Sequence, residues 1–102
     1  MDLKMTQNGN HVRIEIIGDI DEFEAEILKA KFQEVDQLKT VEIDFRHVGY
    51  IGSSGIGKLM LLHKKLALHG GTLLLNNLQS TVFRLFKELN LDTVISITTE
   101  EL

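Results

Sequence analysis

The chain has 102 residues, no cysteine and a net charge of −4, with 43% hydrophobic and 25% charged residues. That composition suits one globular domain, residues 1–102, with a single core, and it excludes disulfides and thiolate chemistry. The largest cationic cluster is Lys64-Lys65, which argues against a nucleic-acid surface, and no apolar run reaches signal-peptide or membrane-span length, so a cytoplasmic protein without membrane insertion is expected.

Leu3 and Met5 alternate with polar neighbours, and Val12, Ile14 and Ile16 alternate with Arg13 and Glu15. Between them stands Asn8-Gly9, a dipeptide suited to a two-residue hairpin turn, so a β-hairpin opens the domain and Gly18 ends it. Asp21 and Glu24 have capping-box spacing. The helix after them is expected to turn Phe23, Ile27 and Ala30 inward, with Leu28 and Val35, and to end near Asp36. Val41, Ile43 and Phe45 predict the third strand. Asp44 on its other face reads as a solvated or loop-capping aspartate in preference to a metal ligand.

A second amphipathic helix follows the Gly52-Ser53-Ser54-Gly55 turn, with Ile56, Leu59, Met60, His63, Leu66 and Ala67 on its apolar stripe. Gly70-Gly71 stops it. Thr72 to Asn76 shows no alternation and predicts a central strand covered on both faces. Ser80 is placed to cap a third helix that buries Val82, Leu85, Phe86 and Leu89, with Asn90 as a left-handed terminator. Thr93 to Ile97 predicts a last strand, and Thr98 to Glu101 the first turn of another helix. The order β-β-α-β-α-β-α-β implies an α/β domain whose sheet is parallel except for one antiparallel edge.

Gly52-Ser53-Ser54-Gly55-Ile56-Gly57-Lys58 satisfies the spacing of a phosphate-cradling nucleotide loop. Leu59 then stands where a magnesium-binding hydroxyl belongs, and Arg46 to Gly49 separate the strand from the loop, so a working nucleotide site is not expected. No histidine is placed to activate a serine, no ligand set for a metal is evident, and no cofactor or catalytic residue is assigned. One serine at a helix start is explained by capping, worth about 1 kcal/mol. The second leaves a hydroxyl beside unpaired backbone donors, where an added phosphate would be well placed. Capping and phosphorylation both stay open on the residues alone.

Taken together, Ile43-Asp44-Phe45, the run Ile51 to Leu59, Gly70-Gly71 and Leu73-Leu74-Leu75-Asn76-Asn77 resemble the STAS domain, in particular the small bacterial anti-sigma factor antagonists. Gly18-Asp19-Ile20-Asp21, Val82 to Phe86 and Leu89-Asn90-Leu91 extend the likeness over nearly the whole chain. The resemblance implies partner switching: an antagonist that binds an anti-sigma factor, usually a serine kinase with a histidine-kinase-like ATPase fold, and that a metal-dependent serine phosphatase restores. It implies phosphorylation at Ser53, with Ser54 as second choice, and a partner surface of Gly52, Ser53, Ser54, Gly55, Ile56, Gly57, Lys58 and Asp21. Gly52 stands where the family carries an aspartate, and the chain is expected to lack much of the family's last helix. The alternative is a STAS binding subunit without a phosphorylation cycle, in a chemotaxis, biofilm or lipid-transport ATPase complex. A monomer is expected for the isolated domain.

Overall fold

The computed structural model describes residues 1–35 and 40–99. Its elements are β1 (Asp2–Asn8), β2 (His11–Ile17), α1 (Glu22–Phe32), β3 (Thr40–His47), α2 (Ser53–Leu68), β4 (Thr72–Leu78), α3 (Ser80–Glu88), a 3-10 turn (Leu91–Thr93) and β5 (Ser96–Thr99). The five strands form one sheet in the order β1-β2-β3-β4-β5, antiparallel between β1 and β2 and parallel thereafter. The expected mixed sheet opened by a hairpin is present. Asn8 pairs with His11, so the turn residues are Gly9 and Asn10, one position later than Asn8-Gly9 suggests. Gly9 has φ +62° there, the position that a II′ turn gives to glycine.

One sheet face carries Val12, Ile14, Ile16, Val41, Ile43, Phe45, Leu73 and Leu75, all buried. The buried side chains of all three helices join them in a single core: Leu28 and Phe32 of α1, Leu59, Leu62 and Leu66 of α2, and Val82 and Phe86 of α3. Two expected helix faces are corrected by this packing. In α1 the buried positions are Ala25, Leu28 and Phe32, while Phe23 is 72% exposed and Ile27 and Ala30 also lie outside. In α2 they are Gly55, Leu59, Leu62 and Leu66, which moves the stripe's centre off Ile56, Met60 and Ala67 and leaves His63 at its border. The helix ends as expected at the glycines: Gly70 has φ +75°, and the Gly71 and Gly70 amides donate to the Leu66 and Ala67 carbonyls at 2.6 and 3.1 Å.

Further differences lie downstream. Gln79, not Ser80, occupies the position before α3, and Ser80 is its first helical residue. Leu89 is half-exposed at the helix end, where Asn90 does adopt the left-handed conformation. Leu91 to Thr93 form the 3-10 turn, which delays the last strand to Ser96–Thr99. Thr98 and Thr99 are thus strand and not helix; Glu100 and Glu101 lie outside the described residues, as does Asp36.

The opposite sheet face is open, contrary to the expectation for β4, and it is polar. Arg13 donates to Asp44 at 2.6 Å and approaches Glu42 at 3.8 Å. His11 lies 3.5 Å from Glu42. A bulge between Leu75 and Leu78 lets Asn77 adopt φ +61°, and both asparagines then reach acids on this face: Asn76 donates to Glu42 and Asn77 to Asp44, at 2.9 and 3.2 Å. Asp44 is 4% exposed, so it is not the solvated aspartate expected; it does cap the bend after it, accepting from the Arg46 amide at 2.9 Å.

Burial pushes the Asp44 carboxyl up, but the Arg46 amide, Asn77 and Arg13 outweigh it and hold it below its usual range. A carboxylate with a lowered folded-state pKa stabilises the fold above its unfolded value and loses that contribution as pH falls through the folded one. Asp44→Ala should therefore cost about 1–3 kcal/mol at neutral pH, by leaving three donors without their acceptor. Urea midpoints should show that difference shrinking below about pH 4; a difference constant with pH would contradict the assignment.

Candidate functional site at the start of the second helix

Three loops meet at the carboxyl end of the parallel strands, the edge where α/β sheets characteristically place their sites. The loop after β2 is stitched to the loop after β3: the Gly18 amide donates to His47, Ile20 to Tyr50 and Gly52 back to Ile20, at 3.0, 2.9 and 2.9 Å. Ile20 and Ile51 pair as a parallel bridge. Asp19 accepts from the Gly49 amide at 3.1 Å, and Gln79, from the loop after β4, donates to the Arg46 carbonyl at 2.9 Å. The starts of α1 and α2 are thereby held side by side.

Asp21 is the residue before α1, where its Oδ1 accepts from the Phe23 and Glu24 amides at 2.9 and 3.0 Å, as its spacing predicts. Glu24 and these amides hold the Asp21 carboxyl low, and Asp21 pushes Glu24 up in turn. At α2 the situation differs. Gly52 precedes the helix and supplies no side-chain cap, so Ser53 and Ser54 are its first two helical residues and neither caps it. Among the described residues neither serine side chain makes a hydrogen bond. Ser53 is exposed and Ser54 half-buried. The capping alternative is therefore excluded, and Ser53 presents an unengaged hydroxyl at the positive end of a 16-residue helix.

Gly55 faces inward and Gly57 outward. A Cβ on Gly55 would lie 2.8 Å from both Ile20 Cγ2 and Ile51 Cγ1, whereas one on Gly57 meets nothing within 4 Å. Close approach of α2 to the two loops thus requires Gly55. Ile56 is half-buried beside it. Lys58 does not point outward as expected: its side chain is 19% exposed and its ammonium lies 3.4 Å from Glu26 of α1. It lines a shallow groove with Lys29, Phe32, Leu61, Leu62 and Lys65. All of Ser53 to Lys58 is helical, so the segment does not form the loop that a nucleotide phosphate would need. Sequence reasoning missed Tyr50, which is 55% exposed and packs over Gly52. Its place beside the serines depends on how the loop folds back, and no periodicity announces it.

The chain is thus an α/β domain with all three α-helices packed into one core, an open polar sheet face and an exposed serine at a helix start. The STAS domain family model matches residues 2–101, and the chain belongs to that family. It is 31% identical over 98 residues to the anti-sigma-B factor antagonist of Bacillus subtilis (strain 168), a match covering 95% of this chain and 90% of that protein. Two solved structures share the fold. The phosphorylated form of the Bacillus cell-fate determinant SpoIIAA superimposes with a TM-score of 0.76 at 21% identity, over 97% of this chain and 93% of that one. An anti-sigma factor antagonist from Mycobacterium paratuberculosis gives 0.83 at 20% identity, over 95% and 84%. Among the described residues no helix is long and apolar enough to cross a membrane.

Proposed function

We propose that this chain is an anti-sigma factor antagonist that acts by binding and catalyses no reaction itself. Its partner is an anti-sigma factor that is also a serine kinase with a histidine-kinase-like ATPase fold, met in the cytoplasm by a monomeric antagonist. The docking surface comprises Gly52, Ser53, Ser54, Ile56 and Gly57, with Asp21 on the adjoining loop; Gly55 and Lys58 support it from beneath and from the side. Ser53 receives a phosphate that abolishes docking, and a metal-dependent serine phosphatase removes it. The observation carrying this reading is the exposed Ser53 hydroxyl, free of any capping role, at the start of α2. The likeness to the Bacillus subtilis antagonist supports the choice of partner.

The test uses an anti-sigma factor kinase encoded beside this chain, with ATP. Intact-mass and peptide analysis should find one phosphate on Ser53. Ser53→Ala should bind but take no label, and Ser53→Asp should bind at least about tenfold more weakly, a loss of about 1.4 kcal/mol. Labelling of Ser53→Ala equal to that of the unsubstituted chain would sink the assignment. One observation favours a second reading, a STAS binding subunit with no phosphorylation cycle: the first turn of α2 contains no acidic residue and Gly52 offers no side chain to orient the serine. Tight binding with no phosphate transferred would select it.

A further inference from the structure

Gly52 has φ −86° and ψ 175°, ordinary extended backbone that any residue adopts. Nothing in the chain's conformation there calls for glycine. The neighbouring space is taken by Tyr50: a Cβ at position 52 would lie 3.1 Å from the phenol oxygen and 3.7 and 3.8 Å from Cζ and Cε2. The ring therefore lies against residue 52, which precedes Ser53 in the chain. Its backbone is fixed, since the Tyr50 carbonyl accepts from the Ile20 amide at 2.9 Å. Its side chain is 55% exposed, and among the described residues the hydroxyl makes no hydrogen bond.

An exposed tyrosine on a fixed backbone, with its hydroxyl unengaged, has the character of an interface anchor: apolar area, little conformational freedom to lose, and one polar handle. The first turn of α2 contains no acid, and in the loop from Val48 to Gly52 the one polar side chain is that of Tyr50. We propose that Tyr50 is a direct recognition contact for the protein that docks over Ser53. Its hydroxyl offers that partner one donor and one acceptor, and its ring an apolar face. This rests on the docking role proposed for the Ser53 surface.

Binding to the same neighbouring anti-sigma factor kinase tests it. Tyr50→Phe keeps the ring and removes the hydroxyl, and it should raise Kd about tenfold, as loss of a hydrogen bond at an interface does; Tyr50→Ala should raise it further. Binding of Tyr50→Phe within twofold of the unsubstituted chain overturns this inference and leaves the docking role standing. No binding by the unsubstituted chain overturns both.

Discussion

Gly55→Ala is expected to destabilise the protein by about 1–3 kcal/mol, although alanine is the better helix former by about 1 kcal/mol. The added Cβ would lie 2.8 Å from Ile20 Cγ2 and Ile51 Cγ1, and 3.1 Å from Ile51 Cδ1. Both isoleucines are buried and belong to loops tied by their own backbone hydrogen bonds, so neither can move freely. Gly57→Ala is the matched control two residues later. It meets nothing within 4 Å and should stabilise by about 1 kcal/mol through helix propensity alone. Opposite signs in denaturant midpoints are the expected result; two stabilising substitutions would show that α2 can lift off the loops without cost. Because Ile20 and Ile51 belong to the loops of the proposed docking surface, Gly55→Ala should also weaken partner binding more than Gly57→Ala does.

Phe45→Ala should cost about 3–5 kcal/mol and leave little folded protein at ambient temperature. Phe45 is fully buried at the carboxyl end of β3, and its ring meets Phe86 edge-on at 6.3 Å and 71°. That pair joins α3 to the sheet, an aromatic contact worth about 0.5–1.5 kcal/mol beyond the area it buries. Phe45→Leu, which keeps most of the volume, should cost clearly less, and a Phe45→Ala/Phe86→Ala double variant should lose less than the sum of the single losses. Strict additivity would mean that the two rings stabilise the fold independently.

The element order, the antiparallel edge and the start of the second helix at the serines were legible in the sequence because they rest on local signals. Alternation, the Gly70-Gly71 stop and Asn90 each act over a few residues, and the expected elements largely formed where these placed them. What failed depends on choices made across the fold. The first helix carries two rival apolar stripes, Phe23-Ile27-Ala30 and Ala25-Leu28-Phe32, and the bulk of Phe23 favours the wrong one on inspection. In the structure Ala25, Leu28 and Phe32 meet the core and Phe23 lies outside it. Likewise Leu74 suggested a strand covered twice. The structure instead places it on a face where Arg13, Glu42, Asp44, Asn76 and Asn77 satisfy one another. The candidate site was partly visible because Gly52 to Lys58 are contiguous, yet the inward lean of Lys58 toward Glu26 and the cover of Tyr50 over Gly52 arise only from packing.

The hydrogen bonds from Gly18, Ile20 and Gly52 continue strand-like pairing past the ends of β2 and β3, so the loops that lead to Ser53 are tied into the sheet. On the function proposed above, a phosphate on Ser53 would act where it is written, its charge and bulk meeting an incoming protein face to face.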